Sequence, residues 1–375
     1  MKVTFFTNFL NHHQIPVADE FYKKLGKDYI FVQTEPMPIE RIKLGYPDFS
    51  DRPYLLMSYE SEENYQKSLE LALSSDVVII GSASEEFIKE RLKKNKLTFR
   101  YSERWFKEGY KNIFHPLFWK HMLENYYPNV NKPCYMLCAS AFTKKDVNLI
   151  GLFRNKCYKW GYFPDFNPKI TRIKRDLDNV INFLWVGRFL DWKHPELSVK
   201  LIFELKKKGY KVKLNMIGNG PLYEKMKKMV VDLNVQDEVL LLGSKPNDEV
   251  IDYFINSDIF LFTSNKEEGW GAVLNEAMAN KCPVIASDAI GSVPYLLEHM
   301  HNGLVFKTNN LRDLTNKAEL FLNNSQLRSN CAENGFLTIK DTWNAEKKKK
   351  NFFTLVDNLL NNHNNIIEMG PCSIA

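Results

Sequence analysis

One stretch of the chain decides the fold. It follows a predicted strand that ends at Ser264 and reads Glu268-Gly269-Trp270-Gly271-Ala272-Val273-Leu274-Asn275-Glu276-Ala277-Met278-Ala279. Two glycines between a strand and a helix let backbone amides approach a ligand, and a helix that begins near Gly271 offers its N-terminus to a phosphate. Glu268 lies in the loop and Glu276 on the second helical turn. Such carboxylates need hydrogen-bond partners, and the hydroxyls of a sugar or a ribose are suitable ones.

A second predicted strand-to-helix loop supplies positive charge. It reads Val186-Gly187-Arg188-Phe189-Leu190-Asp191-Trp192-Lys193. A guanidinium and an ammonium on one loop can neutralise a diphosphate, and fixed cations favour a transition state in which a leaving oxygen gains charge. A third loop, Met216-Ile217-Gly218-Asn219-Gly220-Pro221, has the same order of strand, glycine turn and helix start. For Gly218 and Gly220, simple turn chemistry is an equally open interpretation.

Around these loops, short runs of β-branched and aromatic residues alternate with segments of helical period, which is typical of parallel sheets flanked by helices. At 375 residues the chain is long enough for two such domains. Predicted strands of the first half are Lys2–Phe6, Tyr29–Gln33, Asp76–Gly81 and Tyr135–Ala139. Those of the second half are Val180–Val186, Lys211–Ile217, Val239–Leu242, Ile259–Phe262 and Pro283–Ala286.

The alternation of predicted strands and helices is interrupted at Phe163-Pro164-Asp165-Phe166-Asn167-Pro168 and in the charged run Arg172 to Asp178. We therefore predict a Rossmann-like domain over residues 1–163, a linker over 164–178 and a second Rossmann-like domain over 179–337. A helix over 338–362 and a frayed, Asn-rich tail over 363–375 complete the chain.

Taken together and in this order, the motifs resemble the retaining glycosyltransferases of the GT-B fold, specifically family 4, also called group 1. The resemblance runs from about Val180 to Val305 and includes two further segments, Pro283–Ser287 and Asn302–Val305. It implies an α/β architecture of two Rossmann-like domains whose parallel sheets face each other across a cleft. It also implies that the final helix, which contains Trp343, crosses back to the N-terminal domain.

The resemblance implies roles for individual residues. Arg188 and Lys193 would contact the diphosphate of a nucleotide-sugar donor, Glu268 the hydroxyls of its sugar, and Glu276 its ribose; Arg188, Lys193 and Glu268 form the catalytic set. The donor-binding set adds Gly187, Gly218, Gly220, Ser244, Gly269, Trp270, Gly271, Ala272 and Val273. Transfer would proceed without a metal or other cofactor, with a UDP- or GDP-sugar as substrate and with retention at the anomeric carbon. The departing phosphate would help to take the acceptor proton.

The first half departs from the family pattern. Family members commonly have a glycine-rich loop after the first strand, whereas this chain reads Asn8-Phe9-Leu10-Asn11-His12-His13-Gln14-Ile15-Pro16. A His often follows the strand that corresponds to Asp76–Ile80, and here Gly81-Ser82-Ala83-Ser84 follows it. We predict that Asn11, His12, His13 and Gln14 bind the acceptor or a donor phosphate. Capping or packing within the loop is the alternative for the two histidines.

A basic and aromatic stretch covers residues 89–107 and includes Arg91, Arg100, Arg104 and Trp105. It fits either a peripheral contact with an anionic membrane beside a lipid-linked acceptor or a solvated helix face. Nucleic acid is not expected as a partner. The six cysteines are scattered without metal-type spacing, and the N-terminus has no signal-peptide pattern. We expect a cytoplasmic protein, at most peripheral at the inner face of a membrane.

These inferences converge on a glycosyltransferase that moves a sugar from a nucleoside-diphosphate sugar to a saccharide or lipid-linked acceptor. The family resemblance suggests a place in bacterial surface polysaccharide or glycolipid synthesis. Two alternatives stay open. One is another GT-B enzyme, a nucleotide-sugar epimerase or a phosphorylase. The other is a non-catalytic partner subunit that has kept the fold.

Overall fold

The structure is a computed structural model that describes residues 1–39, 47–170 and 180–375. The chain divides into two compact units. The first contains Met1–Asp165 and Trp343–Ala375, and the second contains Phe166–Thr342. The predicted linker, 164–178, spans this division, and its charged run from Arg172 to Asp178 lies outside the described residues.

The first unit is built on a parallel sheet. Its strands are β1 (Val3–Thr7), β2 (Tyr29–Gln33), β3 (Leu55–Met57), β4 (Val77–Ile80), β5 (Thr98–Ser102), β6 (Cys134–Cys138) and β7 (Cys157–Lys159). They lie in the order β3-β2-β1-β4-β5-β6-β7. Every residue of β1 is buried, as expected for a central strand covered on both faces. The strand order reverses between β1 and β4, and the carboxyl ends of strands at such a point are where open α/β sheets bind ligands.

The helices of the first unit connect these strands. They are α1 (Ile15–Leu25), α2 (Glu62–Ser74), α3 (Glu86–Lys93), α4 (Pro116–Asn125) and α5 (Thr143–Leu149). Local sequence fixes two of the helix starts. Pro16 lies in the first turn of α1, where a missing N–H has no cost, and the Ser61 side chain caps α2 by accepting a hydrogen bond from the Asn64 amide at 3.1 Å.

The second unit is built on another parallel sheet. Its strands are β8 (Ile181–Val186), β9 (Val212–Ile217), β10 (Val239–Leu241), β11 (Ile259–Phe262), β12 (Val284–Ser287) and β13 (Leu304–Phe306). Their order is β10-β9-β8-β11-β12-β13, and the reversal falls between β8 and β11. The loops that carry the first two sequence motifs therefore leave the sheet side by side, at the position where such sheets bind ligands.

The helices of the second unit are α6 (Pro195–Lys207), α7 (Tyr223–Asp232), α8 (Asn247–Asn256), α9 (Val273–Ala279), α10 (Val293–Leu296), α11 (Leu311–Asn323) and α12 (Ser325–Leu337). The apolar face predicted for α6 is buried: Leu197, Leu201, Ile202 and Leu205 all belong to the core. That core continues through Phe183 and Trp185 on β8, which are also buried.

The C-terminal segment returns to the first unit. The predicted helix 338–362 is divided: a π-helical turn, Thr338–Thr342, closes the second unit, and α13 (Ala345–Asn361) belongs to the first. Phe352 of α13 stacks on Phe21 of α1, with ring centroids 5.1 Å apart.

The expectation of a frayed tail is wrong for its last residues. Ser373 accepts a hydrogen bond from the Lys159 amide at 2.8 Å, and the Ala375 amide donates to Cys157 at 3.1 Å. The last residues of the tail hydrogen-bond to the edge of β7, because an unpaired strand edge presents backbone donors and acceptors.

The predicted fold class is confirmed: both units are α/β, with parallel sheets flanked by helices. Of the strands in the described residues, the sequence analysis missed four, namely β3, β5, β7 and β13.

Candidate active site

The loop after β8 is held by backbone hydrogen bonds to the neighbouring loop after β9. The Gly187 amide donates to Ile217 at 3.0 Å, the Phe189 amide donates to Asn219 at 2.9 Å, and the Leu222 amide donates to Phe189 at 3.0 Å. Arg188 lies within this braced segment. Its backbone is fixed while its side chain is exposed to solvent.

Gly218 and Gly220 shape that loop. A Cβ on Gly218, whose φ is +132°, would lie 1.9 Å from the Gly187 carbonyl oxygen. A Cβ on Gly220, whose φ is +155°, would lie 2.7 Å from the Phe189 oxygen. The two glycines let one loop lie against the backbone that carries Arg188, so turn chemistry accounts for them without a ligand. Ser244 is another predicted donor contact. It follows β10, and its side chain is exposed.

The loop after β11 is tied to the loop after β8 by the buried Thr263 hydroxyl and by a backbone hydrogen bond. The Trp185 indole donates to Thr263 Oγ1 at 3.0 Å, and Thr263 Oγ1 donates to the Lys193 carbonyl at 2.8 Å. The Asn265 amide donates to the Trp192 carbonyl at 2.8 Å. These bonds fix the spacing between the two strand ends, and they prearrange the side chains that the loops carry.

Lys193 and Glu268 meet between these loops. Lys193 Nζ forms an ion pair with Glu268 Oε2, and the two side chains are 14% and 12% exposed. Ser264 Oγ donates to the same carboxylate oxygen at 2.9 Å. The ammonium is also 5.8 Å from the centre of the Phe262 ring. Because water is largely excluded, the interaction of this cation with a ligand's negative charge is stronger than it would be at the surface.

A left-handed residue follows Lys193. His194 has φ +46° and ψ +52°, an uncommon backbone conformation for a non-glycine residue. Its Nδ1 lies 2.7 Å from Glu196 Oε1, and its Nε2 lies 3.2 Å from Nδ2 of the Asn265 side chain. His194 therefore links the same two loops from the side chain.

The glycine motif after β11 forms a tight turn into α9. Gly271 has φ +81°, and a Cβ there would lie 2.3 Å from Cζ of Phe262. Trp270 is fully buried, and its indole donates to Asn275 Oδ1 at 2.9 Å. Trp270 thus anchors the turn, with Gly269 and Ala272 on either side of the Trp270–Gly271 pair. The helix begins at Val273, two residues later than the predicted start near Gly271.

This later start moves Glu276 into the first turn of α9, which corrects its predicted place on the second turn. Burial raises the pKa of the Glu276 carboxyl to about 7, while the positive charge of Lys193 acts in the opposite direction. Near neutral pH the group can therefore accept a hydrogen bond as a carboxylate or donate one as an acid.

The structure thus brings together Lys193, Glu268 and Glu276 from two loops and one helix. Arg188 stands apart on the braced loop, and among the described residues its guanidinium has no ion-pair partner. The sequence analysis missed Thr263 and Ser264. A signal for them existed, because both are polar residues placed directly after a buried strand, where a sheet presents side chains to a ligand.

In the first unit, polar side chains of the loop after β1 accept hydrogen bonds from backbone amides of the same loop. The Asn11 side chain accepts from the His13 amide at 3.0 Å, and the Gln14 side chain accepts from the Asn11 amide at 3.3 Å. Both side chains therefore close the turn before α1. The His12 and His13 rings lie 3.7 Å apart, and His13 stacks on Tyr162 at 5.7 Å.

The basic stretch 89–107 is not a continuous surface. It runs from α3 into β5, and Arg91 is fully buried, donating to the backbone oxygens of four residues: Ala72, Ser75, Asp76 and Leu97. Arg100 is buried as well. These two arginines hold the unit together and are unavailable to a membrane surface. Within the described ranges, no helix combines the length and apolar character that membrane crossing demands.

Comparison with known proteins finds a family match that lies within the second unit. Residues 168–338 match the family Glycosyl transferases group 1. An uncharacterised glycosyltransferase of Methanocaldococcus jannaschii is 37% identical over 152 residues, which are 40% of this chain and 41% of that one. The N-acetyl-alpha-D-glucosaminyl L-malate synthase of Bacillus anthracis is 26% identical over 196 residues, 52% of this chain and 49% of that one. The aligned regions thus span about half, or less, of these relatives.

A solved structure resembles the whole chain. The Anabaena protein HepE, in complex with UDP, superposes with a TM-score of 0.71 at 12% identity, covering 95% of this chain and 100% of that one. At that identity the likeness concerns the fold. The residues that match the family, 168–338, include the loops after β8 and β11 and the start of α9.

Proposed function

We propose that this protein, whose residues 168–338 match the group 1 glycosyl transferases, transfers a sugar from a nucleoside-diphosphate donor. The observation that carries the proposal is the Lys193–Glu268 pair, largely shielded from water at the carboxyl ends of β8 and β11. A cation and a carboxylate that share a site suit a donor that presents a diphosphate next to sugar hydroxyls.

The two basic side chains are held differently but stabilise the same charge in the proposed reaction. Lys193 is held in place by its pairing with Glu268, and Arg188 extends from a braced backbone into solvent. Cleavage of the sugar–phosphate bond places negative charge on the leaving diphosphate. Both cations stabilise that charge more strongly in the transition state than in the bound donor, which lowers the barrier.

Glu268 orients the donor sugar. Ser264 and Lys193 both converge on its Oε2 atom, which leaves the other carboxylate oxygen for a sugar hydroxyl. When a donor binds, its diphosphate competes with Glu268 for Lys193. The pair therefore keeps the ammonium in position before the ligand arrives.

Glu276 binds the ribose hydroxyls of the donor. Its raised pKa means that the site holds a partly protonated carboxyl in the absence of ligand. Two ribose hydroxyls can donate to a carboxylate, so donor binding favours the ionised form and releases a proton. Proton release on binding is a measurable signature of this role.

Further features of the reaction are part of the proposal. Retention at the anomeric carbon, transfer without a metal, and a saccharide or lipid-linked acceptor follow from the family resemblance. A role in bacterial surface polysaccharide or glycolipid synthesis rests on the same analogy. The other GT-B enzymes and the non-catalytic subunit are the competing functions, and product analysis separates them.

A thermal-shift panel tests the proposal. UDP-, GDP-, ADP- and CMP-sugars are each added to the full chain, and a ligand that binds the native state raises the melting temperature. We expect one nucleotide class to raise it strongly and the others weakly. The preferred donor is then incubated alone and with acceptors. Donor hydrolysis or transfer supports a transferase, epimerised donor supports an epimerase, and no shift with any donor contradicts the proposal.

A further inference from the structure

The first unit contains a cavity that the donor site does not use. It has a volume of about 330 Å³ and lies at the carboxyl ends of β4 and β5. This volume falls within the range of small-molecule sites. Its polar lining includes Glu85, Arg100, Ser102, Glu103, Arg104 and Lys107. Arg100 and Arg104 differ in how fully the protein uses their hydrogen-bond donors. That difference indicates which ligand the cavity binds.

Arg100 is fully engaged by the protein. Its guanidinium pairs with both carboxylate oxygens of Glu85, and Nη2 also donates to the Asn125 carbonyl at 3.1 Å. The guanidinium lies 4.0 Å from the centre of the Tyr126 ring. A side chain with these partners forms part of the wall of the cavity.

Arg104 is slightly more exposed than Arg100 and is held by fewer partners. Its side chain is 10% exposed, and Nε forms an ion pair with Asp146 Oδ2 at 3.5 Å. The guanidinium also lies 5.0 Å from the centre of the Phe142 ring. That oxygen already accepts the backbone amides of Trp105 at 2.9 Å and Phe106 at 3.2 Å. Within the part of the chain that the structure describes, the Arg104 guanidinium makes no hydrogen bond, and its Nε is shielded from water. Buried donors are normally hydrogen-bonded, and the ion pair with Asp146 leaves the terminal nitrogens of Arg104 without a hydrogen-bond acceptor among the described residues.

The remaining lining offers both donors and acceptors. Glu103 pairs with Lys107 and accepts from the Tyr162 hydroxyl at 2.8 Å, and the Ser102 hydroxyl accepts from the Trp105 indole at 3.1 Å. Mixed groups of this kind suit a ligand with several hydroxyls. A planar guanidinium with free donors suits an oxyanion, which it binds through two parallel hydrogen bonds.

We propose that this cavity binds a saccharide bearing an acidic group, either a carboxylate or a phosphate, with the acidic group on Arg104. The identification of that saccharide as the acceptor of transfer rests on the proposed function. Binding to the cavity itself does not.

Titration calorimetry on the full chain, without donor, tests the ligand class. Glucuronate and glucose 6-phosphate represent the two acidic groups, methyl glucoside is the neutral control, and inorganic phosphate is the anion without a sugar. We expect at least one acidic sugar to bind tenfold or more tightly than methyl glucoside and inorganic phosphate. Equal affinity for neutral and acidic sugars overturns the proposal, as does phosphate binding that matches the better acidic sugar.

Variants test the assignment to Arg104. We expect Arg104→Gln to lower affinity for the preferred acidic sugar at least tenfold, Arg104→Lys to lower it less, and Lys94→Gln, which removes an exposed cation outside the cavity, to leave it unchanged. Unchanged affinity in Arg104→Gln overturns the assignment. Should Arg104→Gln fail to fold because it leaves Asp146 unpaired, Arg104→Lys and the wild-type ligand series decide the question.

Donor binding separates this inference from the proposed function. Arg104→Gln should retain the wild-type affinity for a nucleotide sugar. Acidic-sugar binding without any donor binding would contradict the proposed function alone, and the reverse result would contradict the cavity assignment alone.

Discussion

The loop after β1 in the first unit and the loops after β8 and β11 in the second occupy equivalent places at the carboxyl ends of parallel strands, yet they use their polar residues differently. Asn11 and Gln14 satisfy backbone amides of their own loop. In the second unit, Lys193 and Glu268 pair with each other, and the backbone of their loops is held by other means.

Glycine explains the difference. Gly218, Gly220 and Gly271 adopt positive φ and let the backbone of the second unit turn and pack closely. The side chains that brace these loops are those of Thr263, His194 and Asn265, which leaves Lys193 and Glu268 out of the bracing. The glycine-free loop 8–14 closes its turn with amide side chains instead, a common use of such residues. Polar residues at a strand end are thus available to a ligand when glycine builds the loop around them.

Replacing Gly218 should have the largest effect, because it removes the close backbone approach on which the second unit depends. The new Cβ of Gly218→Ala would collide with a backbone oxygen that cannot move freely, so we expect the free energy of unfolding to fall by about 4 kcal/mol or more. Chemical denaturation measures it. The matched variant Gly209→Ala, at φ +84° with open space around it, should cost about 1–2 kcal/mol. Equal costs would show that backbone crowding is not the reason for Gly218.

The next largest effect concerns Glu268, whose second carboxylate oxygen is available to the donor sugar. Glu268→Gln should lower the transfer rate about 10²–10³-fold, because one oriented acceptor of the donor sugar is lost. The neighbouring variant Glu267→Gln changes the same charge one residue away and should keep near-normal turnover. Turnover of Glu268→Gln within threefold of wild type would remove Glu268 from the site.

Glu276 makes the stability of the second unit dependent on pH. Its pKa is about 7 in the folded protein and close to the ordinary value of 4.5 when unfolded. Between these values the folded state binds more protons, so the free energy of unfolding should fall as pH rises from 4.5 to 7, by an amount on the order of 2 kcal/mol. Denaturation across this range measures the slope. Glu276→Gln should flatten it and Glu267→Gln should not; identical slopes in all three proteins would contradict the assignment.

The smallest effect belongs to the first unit. Asn11→Ala removes the acceptor of the His13 amide, and we expect a loss of about 1 kcal/mol in the free energy of unfolding. Because that side chain serves its own loop, donor affinity should stay at the wild-type value. A large loss of donor affinity with unchanged stability would instead make Asn11 a ligand-binding residue, and the contrast between the two loops would fail.

Sequence patterns predicted the fold because periodicity and burial agree in its central strands. The missed strand β5 shows where this reasoning ends. Its residues, Thr98–Ser102, include Arg100, and the surrounding charges indicated a basic surface. The structure buries Arg91 and Arg100 by satisfying their guanidinium groups with backbone oxygens and Glu85. Those partners are distant in sequence, so no local pattern reveals them.

The candidate site, too, could be predicted from the sequence only in part. Sequence spacing singles out Lys193, Glu268 and Glu276, since each follows a strand or a glycine turn. It does not reveal that Thr263 connects the two loops, or that Gly218 serves packing, because both depend on contacts between loops from different strands. The raised pKa of Glu276 likewise arises from burial, which only the folded chain provides.

Titration of the preferred nucleotide sugar into wild type, Lys193→Gln and Lys200→Gln tests the central claim most directly, because Lys200 is an exposed cation on α6 away from the strand ends. We predict that Lys193→Gln weakens binding about 10-fold or more, as expected when a charge-assisted contact to a diphosphate is lost, and that Lys200→Gln binds like wild type. Equal affinities for all three proteins, or no affinity for any nucleotide sugar, would contradict the account.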